Sequence, residues 1–160
     1  MIRKLGDYYL NMPVRETLDL KELSPEEYEM FESSGVRLIF KGEKIYHGRG
    51  IDFAGAVWKT ILGSTEGMIF RIALQTITTD KDTAERIFIS AYDFLFGEMG
   101  VWSEHESAWS YFWNETGGNV ILELVNSGIS YIPQICFTST LIRQQAREKF
   151  EEIKKIYKTI

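Results

Sequence analysis

Cysteine is nearly absent from this chain, and its absence excludes more chemistry than any motif supplies. Among 160 residues only Cys136 is a cysteine. No internal disulfide and no four-thiolate zinc site can form from it. So little thiol fits a reducing cytoplasm, the expected compartment. Histidine is as scarce: His47 and His105 are the only two, and no H-E-x-x-H, D-x-D-x-D-G or C-x-x-C pattern occurs. No metal and no cofactor are expected. Proline is confined to Pro13, Pro25 and Pro133, and neither a linker nor a repeat divides the sequence. A single domain over 1–160 is expected. Apolar runs never reach the roughly 18 residues of a membrane span. Arg3 and Lys4 are followed by no apolar stretch of roughly 7–15 residues, so no signal peptide is expected either.

Positive charge is also in deficit. Eighteen basic side chains stand against 23 acidic ones, a net charge of −5. Nucleic-acid-binding faces displace counterions with basic groups, so a nucleic-acid partner is not expected. The imbalance is local. Residues 79–127 hold two basic and nine acidic groups, whereas 36–78 and 128–160 are each net +3.

What is present reads as alternating helices and strands. Ser24-Pro25-Glu26-Glu27 combines a capping serine, a proline in the first turn and a glutamate three residues after the cap. A helix is predicted from there to about Ser33. Val36–Phe40 and Lys44–His47 read as a hairpin. Met68–Ile77 alternates as the best strand, with one fully apolar face. Asp80-Lys81-Asp82 offers caps for a helix whose residues Ala84, Ile87, Phe88, Ala91, Leu95 and Met99 form a core stripe that Gly100 ends. Ala108–Glu115, Val120–Val125 and Ile129–Thr138 follow as strands. Pro133 cannot donate to a ladder, so the last is placed at an edge or a bulge. A closing helix over 140–157 is predicted from Ile142, Ala146, Phe150, Ile153 and Tyr157. Residues 1–23 and 48–62 show no clear period. These elements predict an α+β fold of two layers, an antiparallel sheet of about five to six strands with helices packed on one face.

The densest chemistry lies between Glu98 and Glu115. Trp102, Trp109, Tyr111, Phe112 and Trp113 put five aromatics into twelve residues. On a strand, Trp109, Tyr111 and Trp113 share one face, which is core or a platform for a partner. Glu104, His105 and Glu106 stand beside them. Adjacent residues rarely chelate one ion, so this triplet reads as a polar loop rather than a metal site. A pair of carboxylates for glycoside hydrolysis has the right residue types but no fixed spacing. Cys136 with His47 or His105 forms a conceivable thiol pair, although buried free cysteines are usually inert. Lys44, His47 and Arg49 form a basic tip, or simply a charged hairpin edge.

Two function classes follow. The first is a non-enzymatic interaction protein, such as an adaptor, an inhibitor or an immunity-type protein. It would hold a protein partner on Trp102, Trp109 and Trp113, rimmed by Glu104, His105 and Glu106. The second is a small-ligand-binding domain or hydrolase whose pocket between sheet and helices uses Tyr46, His47, Trp58, Arg71 and Tyr131. A homodimer through the Pro133 strand and the closing helix is a third possibility.

Overall fold

The computed structural model describes residues 4–33, 43–140, 151–152 and 155. Strands β1 (Lys21–Glu22), β2 (Lys44–His47), β3 (Ile51–Phe53), β4 (Ala56–Thr65) and β5 (Met68–Gln75) form its first half, with helix α1 (Pro25–Ser33) between β1 and β2. Helix α2 (Lys81–Met99) then leads to β6 (Glu104–Ser107), β7 (Ser110–Glu115), β8 (Gly118–Asn126) and β9 (Tyr131–Ser139). All nine strands belong to one antiparallel sheet, ordered β1-β2-β4-β5-β9-β8-β7-β6, with β3 paired to β4 alone.

This architecture corrects the expected fold class. The described residues hold a nine-stranded sheet and one main helix, not two layers with several helices on one face. The surplus strands come from segments with no usable period. β4 is buried on both faces from Thr60 to Ser64, between β2 and β5, although Val57 and Lys59 before that stretch are exposed. A strand covered on both sides has no polar face to alternate with. β6 is the opposite case: every residue is exposed, so it has no apolar face at all. Residues 36–40 and the closing helix from 141 onward lie outside the described residues, apart from 151–152 and 155.

Pro133 also departs from expectation, because β9 is an interior strand between β5 and β8. The sheet tolerates it where the β5 pairing lapses. The β5–β9 register ends at Gln75↔Gln134. Beyond it the Thr76 N–H still donates to the Pro133 carbonyl (3.1 Å), and Thr78 and Tyr131 exchange both backbone bonds. Toward β8, Pro133 faces Leu124, whose own N–H turns to the Trp109 carbonyl instead.

Local signals act as read elsewhere. Ser24 and Glu27 form a reciprocal cap: the Ser24 N–H donates to Glu27 Oε1 (3.1 Å) and the Glu27 N–H to Ser24 Oγ (3.2 Å). Asp80 caps α2 through the Asp82 N–H. Ala84, Phe88, Ala91 and Leu95 are buried, and the last three join a core that includes Trp58, Leu62, Ile72, Leu74, Trp113, Leu122, Ile135 and Phe137. Leu5, Tyr8 and Met12, which show no period, join the same core. They are held by backbone bonds from Asn11 and to Met12 across Ile69 (2.7 and 2.9 Å). A smaller cluster of Leu23, Ile45 and Ile61 forms elsewhere.

The β3–β4 turn carries local strain. Ala54 and Gly55 both have positive φ, 48° and 78°. Such turns match the twist of a hairpin, but a Cβ at positive φ is costly. Ala54→Gly is expected to be stabilising, by about 0.5–1 kcal/mol. Gly55→Ala is expected to destabilise by about 1 kcal/mol or more. Urea unfolding of the two variants measures both signs.

Candidate functional site

The aromatic segment splits into an inner and an outer part. Trp113 is only 1% exposed, and its Nε1 donates to the Gly100 carbonyl (3.0 Å). Trp109 is half-buried, edge-on to Phe88 at 5.1 Å. Both rings belong to the packing between sheet and helix. Trp102 lies further out. It is half-buried, its Nε1 donates to the Tyr92 hydroxyl (3.2 Å), and its ring lies 4.3 Å from that of exposed His105. His105 stacks on its cross-strand neighbour Tyr111 at 5.6 Å and 14°. Glu104 and Glu106 are exposed beside it. Trp102 and His105 are therefore brought together at the surface, with Glu104 and Glu106 exposed on the same strand as His105, Trp113 buried behind and Trp109 against Phe88.

Helix α2 extends this surface. Tyr92 stacks on Phe96 (6.1 Å) and meets Tyr111 (4.7 Å). Ile89, Tyr92 and Phe96 stand at i, i+3 and i+7, one flank of the helix. Ile89 is 50% exposed, Phe96 43% and Val101, just past the helix, 71%. The result is an aromatic shelf that runs from Phe96 through Tyr92 to Tyr111, Trp102 and His105, with Ile89 one turn before Tyr92 on the helix and Val101 next to Trp102 in the chain. Sequence reasoning missed its helical part, although the signal exists. Ile89, Tyr92 and Phe96 form a second apolar stripe beside the core stripe, more than one buried contact needs.

Strand β6 borders the shelf as the last strand of the sheet. Among the described residues, no strand pairs with its outer edge. Its register with β7 slips between His105 and Ser107, leaving Glu106 as a bulge. Glu104 lies opposite Phe112 on one face, and His105 opposite Tyr111 on the other.

The residues of the second candidate pocket do not converge. Trp58 is wholly buried in the core, with Nε1 donating to the Phe53 carbonyl (2.8 Å). Tyr46 packs against the same core. His47 bonds Glu27 at 2.5 Å, tying β2 to α1. Tyr131 sits at the start of β9 beside Thr78. Arg71 alone lines a recess, of about 40 Å³, together with Ile45, Ile61, Gly63, Ala73, Gln75, Gln134 and Cys136. Its guanidinium donates to the buried Glu43 carboxylate. Gln75 Nε2 donates to Gln134 Oε1 (2.6 Å), and Gln134 Nε2 to Glu123 Oε1 (3.0 Å). Burial pushes the Cys136 thiol up, against a smaller opposing pull from Arg71. A thiol kept protonated is a poor nucleophile.

Among the described residues, no group of three or more His, Cys, Asp or Glu side chains is placed to hold a metal ion. No described helix is long and apolar enough to cross a membrane. Comparison of the chain with family models, curated proteins and solved structures finds no match.

The Glu27–His47 bond sets a pH dependence. The bond to His47, and then the Ser24 N–H, lower the Glu27 carboxyl from its ordinary 4.5 to about 2. A depressed folded value means the stabilisation is fully present above 4.5 and is lost as pH falls toward 2. The stability gap between the native chain and Glu27→Gln is therefore expected to close across that acid window. Denaturant titrations at stepped pH, with the Glu27 carboxyl followed by NMR, measure it.

Proposed function

We propose that this chain is a non-enzymatic protein-interaction module that docks a protein partner on the shelf between α2 and β6. One observation carries the reading. Exposed Phe96 is linked through Tyr92 to Tyr111, Trp102 and exposed His105, beside a strand edge that no described strand pairs, with exposed Ile89 one turn before Tyr92 and exposed Val101 next to Trp102 in the chain. Contiguous apolar surface rimmed by polar groups marks association sites. Trp102 and Tyr92 suit such a site because each presents a large rigid ring with a polar handle. Glu104 and Glu106 supply an acidic rim, which favours a basic partner. The same rim disfavours a second copy, because two such edges would bring like charges together.

The proposal is tested by capture from a lysate of the source organism. A specific partner of the native chain is expected to be lost with Val101→Asp and with Phe96→Asp. It is expected to survive Ile129→Asp, placed on a loop residue that is 86% exposed. Retention of the same partner by both shelf variants overturns the reading. Melting curves guard against a folding defect.

A second reading, a small-ligand site, draws on the Arg71 recess, where guanidinium, two amides and a thiol face one space. Ligand pockets are typically about 300–1,000 Å³, whereas this recess has room for on the order of three waters. The disparity ranks it second. A ligand at 100 times its Kd adds about 2.7 kcal/mol to stability. A thermal shift with a small polar metabolite that Arg71→Met abolishes is the outcome that would favour it.

A further inference from the structure

The shelf and the edge of β6 impose a pattern on whatever binds there. We infer that the partner adds to β6 as an antiparallel strand, and that this strand alternates basic and apolar side chains. The inference rests on the docking reading above and specifies its occupant.

Three observations converge on it. First, β6 ends the sheet with its outer edge unpaired among the described residues, and all four of its side chains are exposed. Its outward N–H and C=O groups form a ready template for an extended segment. Second, the two sides of the strand differ in chemistry. Side chains on an added strand alternate between faces. Those on the side of His105 lie next to Trp102 and the aromatic shelf. Those on the other side meet Glu104, opposite Phe112. The first set must be apolar and the second basic. Third, the charge is complementary to one class of occupant only. The exposed side chains of β6 include Glu104 and Glu106 and no lysine or arginine, so an acidic strand is repelled and a basic one attracted.

The Glu106 bulge limits the match. It leaves a regular run of only a few residues, so the added strand is short. Affinity then comes from the side chains on the shelf, and direction and register from the backbone.

The test uses the full chain and three synthetic nine-residue peptides. One alternates lysine with valine. The second has the same side chains with its strand-pairing amides N-methylated. The third replaces lysine by glutamate. Amide shifts of Glu104, His105 and Ser107 on adding the lysine–valine peptide are expected, with little response elsewhere on the sheet. Glu104→Lys, on an exposed side chain, is expected to weaken binding roughly five-fold. The N-methylated and glutamate peptides are expected not to bind. Equal binding of the N-methylated peptide overturns strand addition, as does a response centred away from β6. If no peptide binds while the Phe96 and Val101 variants still lose a captured partner, strand addition falls and the docking surface stands. If that partner loss also fails, both fall.

Discussion

The fold depends on one long-range pairing. Among the described residues, the β5–β9 pairing alone joins the half-sheet β1-β2-β4-β5 to the half-sheet β9-β8-β7-β6. Between them in sequence lie α2 and three further strands, so forming this seam closes a long loop and carries its entropy. Contacts on both faces offset that cost. On the helix side Ile72 opposes Phe137 and Leu74 opposes Ile135, all buried. On the other, Gln75 bonds Gln134, and Arg71 is held by Glu43 from the segment before β2. Gly63 belongs to the same constraint: a Cβ there would lie 2.7 Å from Glu43 Oε1. The seam also positions the shelf. α2 leaves β5 and packs back over β8 and β9, which fixes its flank relative to β7 and β6.

Local chemistry was legible in the sequence wherever one face differed from the other. The Ser24–Glu27 cap, the Asp80 cap and the Ala84–Leu95 stripe are complete within a few residues and appear as read. β5, β7, β8 and β9 alternate and fall within a few residues of their expected bounds. β4 and β6 fail for opposite reasons, one covered on both faces over its second half and the other on neither. Pro133 was expected at an edge or a bulge, but these are not the only ways to spare a proline. A local lapse in the ladder on one side of an interior strand is another.

The site was half legible. Composition located the aromatic and acidic segment 98–115, and strand parity put Trp109, Tyr111 and Trp113 on one face. Parity gives a face, not a depth. Trp113 sits under Gly100 in the middle of the packing, while Tyr111 reaches the rim to meet His105. Depth depends on where the helix crosses the sheet, and that is set by the β5–β9 seam rather than by local sequence. The helical half of the shelf was hidden by the same fact. A second apolar stripe on α2 becomes surface only once the first is known to be spent on the core.

The edge of β6 combines two demands that usually conflict. Exposed strands invite pairing with copies of themselves, and proteins blunt them with charge, bulges and short length. β6 has all three devices: Glu104 and Glu106, the slip at Glu106 and a span of four residues. None of them removes the outward backbone groups. What they change is which strand can use those groups. Two copies of this edge would bring their glutamates together and pay for it in repulsion, while a basic strand would not. On the docking proposal, the devices that blunt the edge against self-association also filter for a partner of opposite charge. The apolar shelf beside it is consistent with that division of labour, because an apolar surface alone attracts without discrimination and the charged edge supplies the discrimination.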